Sequence, residues 1–137
     1  MIIVSACLAG IPCRYDGKRN TRKKIQELVR EGKAIPVCPE QLGGLPTPRP
    51  ASEIQSGKVV NTEGRDVSHE FRRGAEIVLA IAQEYGCEEA ILKSRSPSCG
   101  KGTIYDGTFS GKTVSGNGIT ADLLIRNGIK ARTEENI

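Results

Sequence analysis

The chain contains very few aromatic residues: no tryptophan, three tyrosines and two phenylalanines among 137 residues. Proteins that bind single-stranded nucleic acid commonly stack the bases on aromatic side chains, so this scarcity argues against a nucleic-acid polymer as partner. The formal net charge is only +4, and we interpret the basic residues as spread along the chain, without the block that a nucleic-acid footprint requires. A small molecule is therefore the expected partner.

A membrane span and a secretory signal are also missing. No apolar run approaches the roughly 20 residues that a membrane helix needs. The chain begins directly with a strand-like pattern, without a charged region, an apolar stretch and a small-residue cleavage site. These absences predict a cytoplasmic protein without membrane contact. In that reducing compartment, five cysteines are better explained by a metal, a cluster or catalysis than by disulfides.

Familiar motifs for nucleotides and for zinc are absent as well. The glycine spacing does not form a Walker loop, and no Gly-x-Gly-x-x-Gly follows the first strand. The cysteines include no Cys-x-x-Cys pair, the spacing common in structural zinc and thiol-redox sites. The only histidine, His69, is interpreted as a solvated polar residue in the first turn of a helix. Any chemistry must come from residues that the fold brings together.

Short aliphatic runs alternate with helical patterns, which is typical of α/β folds. Strands are predicted in residues 1–7, 34–38, 89–93 and 129–133. Helices are predicted in a segment before Gly32, where that glycine ends the helix, and in residues 68–85 and 119–127. Residues 58–61 and 65–67 predict a small hairpin, and the proline-rich residues 38–50 are predicted to contain no helix. The prediction is a single domain over residues 1–137, a three-layer Rossmann-like α/β fold with a small, mostly parallel sheet of about four strands and a minor hairpin.

Three of the predicted strands end close to a cysteine. Cys7 closes the first strand and Cys38 the second, and Cys99 lies in a loop of serines and glycines, residues 93–102, that follows the third. Parallel strands place their carboxyl ends at one edge of the sheet, where open α/β folds bind ligands. The three thiols are therefore predicted to share one site. Cys87 is interpreted as a small buried apolar residue.

Four roles remain open for these thiols. Together with Cys13 from the first loop, they would complete a structural zinc site of four cysteines in a non-catalytic protein. They would otherwise serve thiol redox chemistry, pack as small apolar side chains, or hold an iron–sulfur cluster. A 4Fe–4S cluster held by three cysteines leaves one iron open, and such a soft Lewis acid suits a sulfur-bearing substrate.

Groups suited to proton transfer lie beside the cysteines. Glu40, two residues after Cys38, would serve as a base, and Ser96 or Ser98 would donate a hydrogen bond to the substrate or to a leaving group. Three basic residues are candidate phosphate contacts: Arg14, Arg49 and Lys101.

Several segments together carry a resemblance to a known family. They are residues 5–10 (SACLAG), 13–17 (CRYDG), 38–40 (CPE), 43–46 (GGLP) with Arg49, 96–100 (SPSCG) and 104–110 (IYDGTFS). In this combination, which spans nearly the whole chain, they resemble the thiouracil desulfidase family, long catalogued as a domain of unknown function, in its short single-domain form.

The resemblance implies a 4Fe–4S cluster on Cys7, Cys38 and Cys99, whose fourth iron binds the sulfur of a thiolated pyrimidine. It further implies that Glu40 activates water for attack on the thiocarbonyl carbon and that Ser96 assists proton transfer or stabilises the leaving group. Hydrosulfide would be released and an oxo-pyrimidine formed without net redox change, from 2-thiouracil or a 4-thiouridine nucleotide. Cys13 would be a candidate fourth ligand in the resting state, and a sulfur carrier using the same cluster is a further alternative.

Overall fold

A computed structural model describes all residues from 1 to 137. In chain order the strands are β1 (Ile2–Ser5), β2 (Ala34–Val37), β3 (Ser52–Gln55), β4 (Lys58–Asn61), β5 (Glu89–Leu92), β6 (Thr103–Tyr105), β7 (Thr113–Ser115) and β8 (Lys130–Thr133). The α-helices are α1 (Lys23–Arg30), α2 (Pro39–Leu42), α3 (Ser68–Glu84) and α4 (Ile119–Arg126). Short 3-10 turns follow β1 at Ala6–Ala9 and β8 at Glu134–Asn136.

The main sheet has four strands in the order β2-β1-β5-β8, and all neighbouring strands are parallel. The chain moves from β1 outward to β2 and then returns past β1 to β5. The strand order therefore reverses between β1 and β5, and ligands of open α/β sheets bind outside the carboxyl ends of the strands at such a switch point. This topology confirms the predicted α/β fold with a small parallel sheet of four strands.

Helices cover both faces of the sheet because each strand alternates its apolar side chains between them. Ile3 of β1 and Leu92 of β5 belong to a core cluster with Val78 of α3 and Leu124 of α4. The neighbouring side chain Val4 packs in a second cluster with Ile25 of α1, on the opposite face. The result is the predicted arrangement of three layers, with α1 on one side and α3 and α4 on the other.

The hairpin lies earlier in the chain than predicted. β4 pairs antiparallel with β3, whereas Asp66 makes only an isolated bridge to Val60. The turn between β3 and β4 is Ser56-Gly57, with φ of 48° and 79°, as the two-residue turns of hairpins require. A second small hairpin, β6 with β7, was not predicted.

The prediction that residues 38–50 contain no helix is also wrong, because α2 occupies Pro39–Leu42. Pro39 stands at the first helical position, where its missing N–H costs nothing. None of the helices combines the length and the apolar character needed to cross a membrane.

Candidate active site

A cavity of about 570 Å³ opens at the carboxyl ends of β1, β2 and β5. Its lining contains the three predicted cysteine ligands, Cys13 and the residues predicted for proton transfer, from segments far apart in the chain. They are Cys7, Cys13, Cys38, Glu40, Ser96, Ser98 and Cys99. Cys87, by contrast, packs in the core beside α3, as expected for a small apolar residue.

Each of the three strand-end cysteines is held by a short turn. Cys7 lies in the 3-10 turn after β1, which ends at Gly10 with φ of 94°. Cys38 is the residue between β2 and α2, and Cys99 follows β5 in a turn of residues 96–99. Cys7 and Cys99 are buried, and Cys38 is half-buried. The fold thus directs three thiols of distant segments to one cavity.

The turn of residues 96–99 is fixed from two sides. The Ser96 hydroxyl accepts hydrogen bonds from the backbone N–H groups of Ser98 and Cys99, both at 3.1 Å. The carbonyl of Ser98 in turn accepts the N–H of Thr120, in the first turn of α4, at 2.9 Å. The first N–H groups of a helix have no acceptor within the helix, and the Ser98 carbonyl supplies one to the N-terminal end of α4. Gly118 permits the contact, since a Cβ there would lie 2.5 Å from the Ser98 carbonyl carbon.

The Cys13 side chain packs with those of Cys7 and Cys38, and the Cys38 thiol donates a hydrogen bond to the Cys13 carbonyl at 3.7 Å. The interaction of Cys13 with its two thiol neighbours raises the pKa of Cys13, lowers the pKa of Cys7 and lowers that of Cys38 to about 7. Burial raises the pKa of the Cys99 thiol to about 12. Such a thiol loses its proton when a metal coordinates the sulfur, because the metal charge offsets the cost of burying a thiolate.

The cysteine arrangement discriminates between kinds of cofactor. No three Cys, His, Asp or Glu side chains are grouped so that they could hold a single metal ion. Three thiols nevertheless line one cavity from different directions, and an iron–sulfur cluster is larger than an ion and is held by cysteine thiolates. The donor set therefore fits a cluster better than the tetrahedral zinc site considered from the sequence.

Glu40 lies in the first turn of α2, and both of its carboxylate oxygens are engaged. Arg49 Nε donates to Glu40 Oε1 at 2.9 Å, and Ser98 Oγ donates to Glu40 Oε2 at 3.0 Å. The Glu40 side chain is 14% exposed, so it can still meet a molecule in the cavity. The ion pair and the hydroxyl hold the carboxylate in one orientation.

Ser98 connects Ser96 to the carboxylate. The two hydroxyl oxygens lie 3.0 Å apart. Since the Ser98 proton is directed to Glu40, Ser96 must be the donor in the Ser96–Ser98 hydrogen bond. Ser96 is half-buried whereas Ser98 is only 2% exposed, so Ser96 is the more accessible of the two from the cavity.

Arg49 is a structural partner of the site, not the phosphate contact considered from the sequence. Its side chain is 4% exposed, and its guanidinium also donates to the carbonyl of Cys13 at 3.0 Å and to that of Pro46 at 3.2 Å. These bonds join the Cys13 loop to the loop after α2. Sequence reasoning missed this role because no local pattern relates Arg49 to Glu40, nine residues earlier.

The other two basic candidates differ in their position relative to the cavity. Arg14 lines the cavity but is paired with Asp16 at 3.0 Å and also donates to Asn20. Lys101 is exposed and does not belong to the cavity lining.

Packing between α2 and α3 fixes the position of Glu40. A Cβ on Gly74 of α3 would lie 1.9 Å from the Pro39 carbonyl oxygen, and a Cβ on Gly43 would lie 1.9 Å from that of Glu70. The two backbones therefore approach as closely as only glycine allows.

Comparison with known proteins relates this architecture to one family. The model of the 2-thiouracil desulfurase family matches residues 2–136. The uncharacterized protein YbbK of Bacillus subtilis (strain 168) is 46% identical over 147 residues, an alignment that covers 100% of this chain and 97% of YbbK.

A solved structure of the 4Fe-4S-dependent thiouracil desulfidase TudS has the same fold, with a TM-score of 0.95 and 48% sequence identity. The superposition covers 99% of this chain and 91% of that chain. Together with the family match over nearly the full length, this similarity means that the chain belongs to the 2-thiouracil desulfurase family.

Proposed function

We propose that this protein is an iron–sulfur-dependent desulfidase that removes sulfur from a thiolated pyrimidine by hydrolysis. The substrate would be 2-thiouracil or a 4-thiouridine nucleotide, and the products would be the oxo-pyrimidine and hydrosulfide. The observation that carries this proposal is the meeting of three cysteines, from the ends of three neighbouring strands, with a held carboxylate in one cavity. The similarity to TudS supports a 4Fe–4S cluster as the cofactor.

Cys7, Cys38 and Cys99 would hold the cluster, because each follows a different strand of the same sheet edge and lines the cavity. When bound, a cluster with three cysteine ligands supplies a soft Lewis-acidic iron that favours sulfur. Cys13 is proposed to donate its single thiol proton to one of the neighbouring Cys7 and Cys38 thiolates and so to stabilise it. As the fourth thiol in the cavity, Cys13 remains a candidate for an additional ligand.

Glu40 is proposed to act as the general base. Arg49 and Ser98 orient the Glu40 carboxylate. The Glu40 side chain still lines the cavity, so a bound molecule can contact it. A water bound next to Glu40 would lose a proton to the carboxylate as its oxygen attacks the thiocarbonyl carbon. The carbon–sulfur bond then breaks, the electron pair stays with sulfur, and no oxidant or reductant is consumed.

Ser96 is proposed to handle the proton on the leaving-group side. Its hydroxyl is half-buried, lines the cavity and connects through Ser98 to Glu40. For the proton taken by Glu40 to reach the departing sulfur along this chain, both hydroxyls would turn, so that protonated Glu40 donates to Ser98, Ser98 to Ser96 and Ser96 to the sulfur. Backbone N–H groups donate to the Ser96 oxygen and keep the hydroxyl in place.

The proposal is tested with protein purified and reconstituted without oxygen. Iron and acid-labile sulfide are measured, and sulfide release and oxo-pyrimidine formation are then followed separately with 2-thiouracil and with 4-thiouridine 5′-monophosphate. We expect brown protein and equal amounts of the two products from at least one substrate. Colourless protein with stoichiometric zinc would favour the structural metal site, and sulfide exchange without oxo-pyrimidine would favour a sulfur carrier.

The ligand assignment is tested with three single variants, Cys7→Ala, Cys38→Ala and Cys99→Ala. Each should lose the cluster, because two remaining thiolates cannot replace the third. Cys87→Ala is the matched control, since Cys87 lies in the core outside the cavity. Unchanged iron content in any of the three variants would remove that cysteine from the ligand set.

A further inference from the structure

The few aromatic residues of this chain are concentrated at the cavity. Of the three tyrosines and two phenylalanines, Tyr15, Tyr105 and Phe109 line it. The remaining two are elsewhere: Phe71 is fully buried in a core cluster, and Tyr85 is exposed at the end of α3. Three of the five aromatic side chains therefore line the same cavity as Glu40 and the cysteines.

Phe109 differs from the two tyrosines in its backbone. Its φ is 55°, in the left-handed region that bulky residues rarely adopt. Residues held in such conformations concentrate at binding and catalytic sites, because surrounding contacts must impose them. Phe109 is also half-buried, whereas Tyr15 is 44% and Tyr105 is 36% exposed. Phe109 is therefore the least exposed of the three aromatic residues that line the cavity and the only one of them with a left-handed backbone.

A buried carboxylate imposes this conformation. Glu53 of β3 is 8% exposed, and its Oε1 accepts hydrogen bonds from the N–H groups of Gly107 at 2.9 Å and Phe109 at 3.1 Å. Gln55, on the same strand, donates to the Gly107 carbonyl at 2.7 Å. A Cβ on Gly107 would lie 2.7 Å from the Ile54 carbonyl oxygen, so the turn packs directly on β3.

We propose that Phe109 stacks on the pyrimidine ring of the substrate and that Glu53 is the positioning residue that presents it. The inference rests on the proposed function, which requires a flat heteroaromatic ring to lie between Glu40 and the cysteines. Stacking on an aromatic side chain is the general way in which proteins hold a base without reading its edge. Phe109 would therefore set the affinity for the ring, while Glu40 and Ser96 act at the reacting carbon.

The first test compares Phe109→Leu, Phe109→Tyr and the control Tyr85→Leu in the reconstituted holoenzyme. Loss of the stacking face in Phe109→Leu should raise KM for the thiolated pyrimidine about tenfold and leave kcat and iron content unchanged. Phe109→Tyr keeps a stacking face and should raise KM much less than Phe109→Leu, and the control Tyr85→Leu should behave as the wild type. A KM that Phe109→Leu leaves unchanged would overturn the inference.

Binding of uracil, measured by calorimetry on the same proteins, separates this inference from the proposed function. Uracil carries the ring but no sulfur, so its affinity reports stacking even if the wild type released no sulfide. Its Kd should rise about tenfold in Phe109→Leu alone. An equal Kd in the wild type and Phe109→Leu, or no uracil binding by the wild type, would overturn the inference.

The role of Glu53 is tested by combining variants. If Glu53 acts only through Phe109, then Glu53→Ala raises KM, and the double variant Glu53→Ala/Phe109→Leu shows no further rise beyond the larger single effect. Glu53→Gln, whose amide oxygen can still accept from both N–H groups, should retain most of the affinity. Losses that multiply in the double variant would show that Glu53 does not position Phe109.

Discussion

Glu40 illustrates how a residue with no distinctive local pattern becomes a candidate catalyst. It stands two residues after Cys38, so the carboxyl end of β2 brings it into the cavity, and Arg49 and Ser98 then fix its two oxygens. Arg49 is buried and makes four hydrogen bonds within the site, so it cannot easily turn toward a substrate. Its contribution is to orient the Glu40 carboxylate and to join two loops of the site.

Glu40→Gln tests the general base directly. The carboxamide can still accept one hydrogen bond but cannot take a proton from water, so we expect kcat to fall about 10²–10⁴-fold with the iron content unchanged. The desulfidation rate with saturating substrate measures the effect. Glu84→Gln, an exposed carboxylate of α3, is the matched control. Wild-type kcat in Glu40→Gln would remove Glu40 from the mechanism.

At this scale, much of the site could be predicted from the sequence. Cys7, Cys38 and Glu40 were placed together because they follow strands, and the ends of parallel strands share an edge. The contact from Ser98 to Glu40 could not be predicted in this way. It joins α2 to a loop 58 residues further along the chain, and the position of the Ser98 hydroxyl depends on the turn that Ser96 stabilises. The roles assigned to these residues stay predictions.

The elements around the site are held by close backbone contacts as well as by apolar packing. α2 is a single turn, too short to be stable alone. Its support is the crossing with α3, where Gly43 and Gly74 remove the side chains that would keep the two backbones apart. The same crossing fixes Cys38 and Glu40 at the two sides of Pro39.

Gly74→Ala should therefore destabilise the protein, against the usual effect of this change. In an ordinary helix interior, alanine is favoured over glycine by up to about 1 kcal/mol. Here the new Cβ would overlap the Pro39 carbonyl oxygen, and we expect a loss of about 1–3 kcal/mol in the free energy of unfolding by urea. Arg73→Ala, an exposed site next to it, should change this free energy by less than about 0.5 kcal/mol. A more stable Gly74→Ala protein would mean that α2 and α3 can move apart at little cost in free energy.

Another element-scale contact anchors the start of the Ser96 loop. The carboxylate of Glu134, just after β8, accepts hydrogen bonds from the N–H and the hydroxyl of Ser94 at 2.7 and 2.9 Å and pairs with Lys93 at 3.3 Å. Burial raises the pKa of Glu134, but the Ser94 hydrogen bonds and the Lys93 ammonium outweigh it and bring the pKa below its ordinary value of 4.5.

This contact predicts a specific acid sensitivity. A depressed carboxyl pKa means that the stabilising effect of Glu134 is complete above pH 4.5 and is lost as the pH falls through the lower pKa of the folded protein. Glu134→Gln should be less stable than the wild type at neutral pH, and the difference should shrink in acid. Urea unfolding at several pH values measures it. The control is Glu135→Gln, because Glu135 is the next residue and forms an exposed ion pair with Arg95. This variant should have the same dependence of stability on pH as the wild type.

The elements were predicted unevenly, and the reason is physical. Long periodic patterns, such as the α3 pattern, depend on burial of one face and were predicted well. α2 depends instead on tertiary contacts with α3, and the β3–β4 hairpin depends on its Ser56-Gly57 turn. Of the two elements, only the hairpin had a local signal in the sequence, which was this turn. Pro39 stands at the first position of α2, directly after Cys38. From the sequence alone, a proline at this position predicts a loop as readily as the start of a helix.

Over the whole molecule, the charge is less evenly distributed than the sequence reading assumed. Five basic residues fall within residues 18–24, a segment without acidic residues, and taking these five charges from the total of +4 leaves −1 for the rest of the chain. The five are Lys18, Arg19, Arg22, Lys23 and Lys24. All are exposed, and none forms an ion pair. The interpretation that no basic block exists is therefore wrong for this basic segment, which contains the cavity residue Asn20.

This distribution predicts how the enzyme distinguishes charged from neutral substrates. A concentrated positive field beside a cavity raises the encounter rate with anions and is screened by salt. Replacing Lys18, Arg19 and Arg22 by Gln should lower kcat/KM for 4-thiouridine 5′-monophosphate about tenfold at low ionic strength, and the difference should vanish in high salt. The uncharged nucleoside 4-thiouridine should show no such loss.

The control replaces Arg73, Lys130 and Arg132 by Gln, because these cations are also exposed but lie outside the segment and the cavity. An equal loss for both substrates, or for both triple variants, would mean that the basic segment acts on the fold or on net charge and does not steer the phosphate toward the cavity.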